Sequence, residues 1–208
     1  NAKIEQLRVQ QIKNFFGCLL LAQGTPMFVA GDEFRRTQNG NNNAYCQDNE
    51  LAWVVWTLAE KNKSLVRFTK ELIRFRKAHP IFSRFHFFGE TESEKKNGVD
   101  LVWYDFDGRV PDWSKLNRFL ACEILGSRYK KDDGTEGSNL YIGINTDRHD
   151  IAVILPALEK DKVWARVLDT SYPDETDIME EGKEETLPSQ KRYIIPANSM
   201  VLLMSKNK

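Results

Sequence analysis

Three carboxylate pairs in this chain have the residue types for acid–base chemistry: Asp32-Glu33, Asp48 with Glu50, and Asp105 with Asp107. Such chemistry needs one carboxyl that holds a proton and a partner that stays ionised, both aimed at one bond. Adjacent strand residues point to opposite faces, so Asp32 and Glu33 cannot flank the same bond. Asp48 and Glu50 can share a face, but they lie in a loop with no visible rigid support. Asp105 and Asp107 flank a turn, where solvated carboxylates are the ordinary case. The histidines offer no more. His79 precedes Pro80 at a helix end and reads as a cap. His86 lies among Phe85, Phe87 and Phe88 and reads as half-buried structure. His149, in Asp147-Arg148-His149-Asp150, reads as a hairpin tip. Gly-x-Ser-x-Gly, Gly-x-Gly-x-x-Gly and the P-loop are all absent from the sequence. Cys18, Cys46 and Cys122 are far apart, with no Cys-x-x-Cys pair and no His/Cys cluster at metal-ligand spacing. The reading is no catalytic residue, no metal and no cofactor.

The elements that would position any site divide near His79-Pro80. Ile4, Leu7, Ile12, Phe15, Phe16, Leu19 and Leu20 recur at helical spacing, which predicts a helix from about Ile4 to about Ala22, stopped by Gly24-Thr25-Pro26. The apolar run Met27-Phe28-Val29-Ala30 suits a strand buried on both faces, as in a parallel sheet. A polar loop follows from Arg35 to Glu50, long enough without periodicity to be functional or disordered. Trp53, Trp56, Trp103, Trp113 and Trp164 read as core packing, with sugar stacking as the alternative. Asn62 or Ser64 then caps a second helix with an apolar face of Leu65, Phe68, Leu72, Ile73 and Phe75 and a polar face of Lys70, Arg74 and Lys77. From about Ile81 the period switches to two. Leu101 and Trp103 alternate with Val102 and Tyr104. Leu120, Cys122 and Ile124 share a face, as do Leu140, Ile142 and Ile144, and then Ile151, Val153 and Leu155. Val163 to Leu168 and Tyr193 to Met204 supply the last strands. Asp107-Gly108, Asp133-Gly134 and Gly182 are turn signals. The acidic stretch Asp174 to Glu185 reads as a solvated, mobile loop. Residues 81–208 thus read as an antiparallel β-sandwich. Residues 1–80 read as helix-strand-helix, and a parallel strand needs neighbours that this segment does not supply.

The chain has 208 residues, with 30 Lys plus Arg against 30 Asp plus Glu. Zero formal charge excludes the basic excess of a general nucleic-acid binder. No run of eighteen apolar residues is present, so no transmembrane helix is expected and no membrane partner. No signal peptide is read at the start. Few, scattered cysteines suit a reducing, cytoplasmic setting.

Longer motifs carry a resemblance. Leu19-Leu20-Leu21-Ala22-Gln23-Gly24-Thr25-Pro26-Met27 and Ala30-Gly31-Asp32-Glu33-Phe34 resemble the eighth-strand segment of the α-amylase superfamily. Arg36-Thr37-Gln38 with Gly40-Asn41-Asn42-Asn43-Ala44-Tyr45-Cys46-Gln47-Asp48-Asn49-Glu50 resembles the isoamylase and glycogen-debranching branch, which hydrolyses α-1,6 branch points of glycogen-like glucans. Phe75-Arg76, His79-Pro80, Val102-Trp103 and Pro111-Asp112-Trp113-Ser114 resemble the same branch. Two positions depart from it. Arg35 stands where the family usually has Gly, and Trp53-Val54-Val55-Trp56 lacks the carboxylate of Trp-x-Asp-Trp.

The resemblance implies an α+β chain: the closing helix-strand-helix fragment of a (β/α)8 barrel over 1–80, then the C-terminal β-sandwich over 81–208. Family members use a nucleophilic Asp, an acid/base Glu and a stabilising Asp on earlier strands. The resemblance implies that all three precede this segment, leaving a chain inert alone whose partner, through the parent enzyme, is a branched α-glucan. Barrel sites open at the strand C-termini, from which Asp32 to Glu50 would emerge. Sugars are held by planar polar side chains on hydroxyls and by aromatic faces. The substrate-contact candidates are Asp32, Arg36, Asn41, Asn42, Asn43, Tyr45 and Gln47. The Asn run can equally fold the loop on itself, and Arg36 can pair with Asp32 or Glu33. A separate reading is a non-catalytic sandwich module that binds glucan or a protein partner. A severed barrel end would leave the faces Ile4 to Leu20 and Leu65 to Phe75 without their usual cover, which predicts a homo-oligomer or a rearranged first part.

Overall fold

The computed structural model describes residues 1–129, 134 and 136–208. Helix α1 spans Ala2–Leu21, and the Asn1 side chain accepts from the Lys3 amide at its N-terminus. A short α2, Thr57–Lys61, leads into α3, Lys63–Ala78. Asn62 sits at the N-cap of α3 but does not cap it. Its amide instead donates to the carbonyls of Phe34 and Leu58. A capping box of Thr91 and Glu94 starts α4, Glu92–Asn97.

Among the described residues eight strands follow, all paired antiparallel: β1 (Leu101–Tyr104), β2 (Phe119–Ile124), β3 (Leu140–Asn145), β4 (Ile151–Ile154), β5 (Lys162–Asp169), β6 (Glu185–Thr186), β7 (Arg192–Ile195) and β8 (Ser199–Asn207). Six form one sheet in the order β1-β2-β3-β8-β5-β6, and β4 pairs with β7 in a second. The expected antiparallel sandwich is present. Gly108 and Gly182 take positive φ in their turns, whereas Asp133 of the Asp133-Gly134 signal lies outside the described residues.

The large sheet is covered on both faces. Ile124, Leu140, Ile142, Met200 and Leu202 pack against Phe16, Leu20, Leu65, Phe68 and Leu72 of the helices. Tyr141, Val201 and Leu203 face the opposite way, toward Val153, Leu155, Trp164 and Ile195. This is the period-two alternation of a strand between two apolar layers. Two glycines permit the close approach. A Cβ on Gly17 would lie 2.5 Å from Met200 Sδ, and one on Gly143 would lie 2.5 Å from Ile195 Cδ1.

Polar bonds add to the apolar seam. Gln10, Gln11 and Asn14 of α1 all donate to the carbonyl of Asn198, at 3.1, 3.1 and 2.7 Å. Arg76 of α3 donates to the carbonyls of Leu20, Ala22, Gly24 and Phe82. Those carbonyls at the α1 terminus have no helical partner of their own. Arg76 is buried, so the helix end is closed by a side chain from the neighbouring helix. His79 is buried against Phe75, with Nδ1 2.7 Å from the Phe75 carbonyl. That is the helix-end role expected of it.

Four expectations are corrected. Residues 27–30 form no strand, and Met27 and Val29 are 86% and 58% exposed. Apolar character predicted burial, but a parallel ladder needs flanking strands, and the described residues place none beside this run. The acidic stretch is anchored rather than freely solvated. Asp177 and Ile178 are buried, and Met179 N bonds the Val167 carbonyl. Trp53, Trp56, Trp103 and Trp113 are exposed instead of core, whereas Trp164 is buried as expected. His86 is exposed, not half-buried. No helix among the described residues is long and apolar enough to cross a membrane.

Candidate functional site

The segment from Gly31 to Trp56 carries every candidate contact residue. It opens with a single 3-10 turn, Asp32–Phe34, whose Phe34 is buried and fixes the start of the loop. Arg35 then adopts φ 64°, ψ 38°. This is the left-handed conformation that a glycine takes without steric cost. The turn is therefore retained although the side chain is a long cation. That cation is used: Arg35 Nη2 lies 2.9 Å from Glu5 Oε2 on α1. Hydrogen bonds from Arg35, and then from Arg8, hold the Glu5 carboxyl below its ordinary range.

Asp32 and Glu33 turn back onto their own backbone. Asp32 Oδ2 accepts from Val29 N at 3.1 Å, and Glu33 Oε2 from Gly31 N at 2.8 Å. Asp32 also stands on the rim of a hollow of about 320 Å³, walled by Ile12, Phe15, Phe28 and Arg36. Arg36 donates to the carbonyls of Leu51 and Ala52 rather than to either carboxylate. It thereby ties the exit of the loop to its entrance.

Between these ends the loop is laced by its own amides. Gln38 Nε2 donates to the Asn41 carbonyl at 2.8 Å, and Asn41 Nδ2 to Gln47 Oε1 at 2.8 Å. Asn41 Oδ1 accepts from Asn43 N, and Asn43 Oδ1 from Tyr45 N, each at 3.0 Å. Gln47 Nε2 returns to the Asn43 carbonyl at 3.0 Å. These are Asx turns, which explain why asparagine recurs here. Asn39 and Cys46 hold positive φ within the same lacing. Of the seven candidates, Asn41, Asn43 and Gln47 are brought together by direct bonds. Arg36 braces the backbone, and Asp32 lies apart on the α1 side. Asn42 and Tyr45 point to solvent, Tyr45 at 82% exposure. Sequence reasoning did not single out Gln38 or the bond from Trp53 Nε1 to Asp48 Oδ1 at 2.7 Å.

The lacing leaves a rigid rim with amides and one phenol presented outward. Such a surface can accept and donate to hydroxyls and can stack on an apolar ring face. The carboxylate pairs do not converge. Asp48 is engaged by Trp53, and Asp105 by Asn117 at 2.9 Å across the turn. Burial raises the carboxyl of Glu123, whose partners are Tyr104 and Asn139 inside the sheet region. No group of three or more His, Cys, Asp or Glu side chains among the described residues is placed to hold a metal ion.

Comparison with known proteins follows the same direction. A family model described as "Isoamylase 1-3, C-terminal" matches residues 102–204. The glycogen operon protein GlgX homolog of Mycobacterium tuberculosis is 32% identical over 207 residues, covering 95% of this chain and 28% of that protein. Isoamylase 1, chloroplastic, of Arabidopsis thaliana is 31% identical, covering 97% of the chain and 25% of that protein. The chain thus spans about a quarter of the length of these relatives. Among solved structures, a pullulanase of Anoxybacillus complexed with maltotetraose superposes with a TM-score of 0.68 at 18% identity, over 95% of this chain and 23% of the other. At that identity the likeness establishes the fold.

Proposed function

We propose that this chain is the C-terminal portion of a debranching glycoside hydrolase, a reading supported by the match of residues 102–204 to the isoamylase 1-3 C-terminal family model. The reaction is cleavage of α-1,6 branch linkages in a glycogen-like glucan. The catalytic carboxylates lie elsewhere in the parent protein, so this chain alone is inert. Residues 1–80 serve the catalytic barrel as its closing segment, and 81–208 form the sandwich that buttresses it. The setting is cytoplasmic, and the chain's ligand, through the parent enzyme, is branched α-glucan.

The structural observation that supports sugar contact in this reading is the laced loop from Gln38 to Gln47. Retaining hydrolysis needs two carboxyls about 5 Å apart on one bond, and Asp32, Glu33 and Asp48 are spent on backbone amides and an indole. What the loop offers is a pre-set rim for sugar contact. Asn42 and Tyr45 touch glucan directly. Asn41, Asn43 and Gln47 hold the rim, Arg36 braces its base, and Asp32 lines the neighbouring hollow on the α1 side. Rigid presentation lowers the ordering cost of binding a flexible chain.

The test has two arms. Reducing-end release from glycogen and from pullulan is measured with this chain, and no turnover above a protein-free control is expected. Retardation in glycogen-containing native gels is then compared for the chain and for Tyr45→Ala. Turnover would overturn the assignment of the catalytic carboxylates to another segment. Retardation unchanged in Tyr45→Ala would remove the loop as a contact. Strong retardation without any dependence on the loop would instead favour the stand-alone sandwich module.

A further inference from the structure

A second aromatic surface lies away from that loop. Strand β1 is at the edge of the six-stranded sheet, with β2 on one side. Trp103 on this strand is 38% exposed, and Trp113, in the connection from β1 to β2, is 64% exposed. Their rings meet edge to face, with centroids 5.8 Å apart and planes at 85°. Each indole braces the other, while much of the pair stays in water. Tryptophan is ordinarily well buried, so a braced yet exposed pair is the geometry of a contact surface.

The polar groups around it indicate what kind of ligand suits it. Asp112 Oδ1 accepts from Ser114 N at 3.1 Å and from Ser114 Oγ at 2.6 Å. Lys115 Nζ lies 2.9 Å from Asp112 Oδ2. Hydrogen bonds from Ser114, and then Lys115, keep the Asp112 carboxyl below its usual range. Asp112 and Lys115 cancel, so the one charge left on residues 112–118 is that of Arg118. All of residues 112–118 are exposed, and apart from Trp113 and Leu116 they are polar, so the indoles have a largely polar surround. A protein interface favours a contiguous apolar core with few charges. An anion or a nucleic acid needs a cationic excess. A flat apolar face with a polar rim of small net charge matches a pyranose ring, whose CH face stacks while its hydroxyls bond outward.

We infer that Trp103 and Trp113 form a second glucan contact on the sandwich, stacking on the sugar rings of an α-1,4-linked chain. It rests on the reading that the chain serves a glucan-acting enzyme, but it uses residues independent of the 38–47 loop. It gives the sandwich a hold on the polymer apart from that loop.

The full chain, Trp113→Ala, Trp113→Tyr and Tyr45→Ala are run in native gels containing glycogen or amylopectin, and titrated with maltoheptaose by tryptophan fluorescence. Trp113→Ala is expected to weaken affinity about tenfold, equivalent to about 1.4 kcal/mol. Trp113→Tyr keeps an aromatic face, retains most of the binding, and covers the case in which the alanine variant does not fold. Unchanged affinity in Trp113→Ala overturns the inference. If Tyr45→Ala loses binding and Trp113→Ala does not, the loop reading stands and this one fails. If the parent chain binds neither polymer, both fail. A change of sedimentation in Trp113→Ala without loss of sugar affinity identifies the pair as a contact between copies, which also overturns the inference.

Discussion

Lys13 Nζ of α1 lies 2.6 Å from Asp177 Oδ2, and Arg67 of α3 reaches the other oxygen of the same carboxylate. Asp177 is fully buried and the Lys13 side chain is 4% exposed. Lys13 also pairs with Asp174 at 2.7 Å. One carboxylate from the acidic stretch therefore clasps two helices that pack on the sheet. Removing one member of a buried ion cluster leaves uncompensated charge, at a cost of about 3–5 kcal/mol. Asp177→Ala is expected to lose that much stability in urea unfolding. Lys13→Met combined with Asp177→Leu is expected to cost less than either change alone. A loss below about 1 kcal/mol in Asp177→Ala would rule out the clasp.

Arg76 supports a second prediction. Its guanidinium serves four carbonyls at the end of α1 and just beyond the end of α3. A lysine has a single compact head and cannot span them. Each buried carbonyl left without a donor costs about 1–3 kcal/mol. Arg76→Lys should therefore lower stability by at least about 2 kcal/mol and raise hydrogen exchange at the α1 C-terminus. Exchange unchanged there would show that water replaces the guanidinium without loss.

What could be read from the sequence was what depends on local pattern. The helical spacing of Leu65, Phe68 and Leu72 gave a buried face, and all three are buried. The alternation of Leu140, Ile142 and Ile144 marked one side of β3, and the helices cover that side. The Asn run was read equally as ligand contact and as self-bonding, and its Asx turns are now visible. What could not be read was what depends on distant partners. Met27 to Ala30 is apolar enough for a core strand, yet no pattern within four residues supplies a neighbouring strand. Asp177 looks like its acidic neighbours, and only cations from residues 13 and 67 make it a buried anchor. Arg76 stood out only through resemblance, because four carbonyls from three places define its role.

Arg35 tests the loop geometry directly. A non-glycine residue in the left-handed region carries a steric cost of about 1–2 kcal/mol, and Arg35 sits there at φ 64°. Arg35→Gly removes that cost and also removes the ion pair with Glu5, which is solvent-exposed and contributes little. The variant should be about 1 kcal/mol more stable, a rise in Tm of about 2–4 °C for a chain of this size. A fall in Tm would mean that the Glu5 pair outweighs the backbone cost.

Two buried carboxyls should make stability respond to pH with opposite signs. Burial alone would raise Glu94, but hydrogen bonds from Arg84, Thr91 and backbone amides outweigh it and hold the group well below 4.5. The unfolded chain then takes up this proton first, so the contribution of Glu94 is present above about pH 4.5 and declines as pH falls below it. Burial raises Glu123, with hydrogen bonds from Tyr104 and Asn139 only partly opposing. Here the folded state holds the proton longer, so stability falls as pH rises from about 4.5 through the raised value. Glu123→Gln should stabilise the protein at pH 7 and have little effect at pH 4. Glu94→Gln should weaken it at pH 7 and flatten the acid limb. Equal effects of either change at both pH values would contradict these assignments.

The last prediction concerns the outer face of α1. Ile4, Leu7 and Phe15 are 51%, 44% and 73% exposed, and Met27 and Val29 add to the uncovered apolar surface. Phe15 also walls the hollow beside Asp32. Apolar surface of this kind drives association unless something covers it. On the proposed reading a barrel in the parent protein covers it, and for this chain alone the available cover is a second copy. Sedimentation equilibrium should therefore show reversible self-association that weakens in Phe15→Ser. The Tm of the variant should stay near that of the parent chain at low concentration, because the side chain it replaces is exposed. A monomer at all concentrations would mean that the face tolerates water, and the proposed contact with a barrel would lose its physical motive.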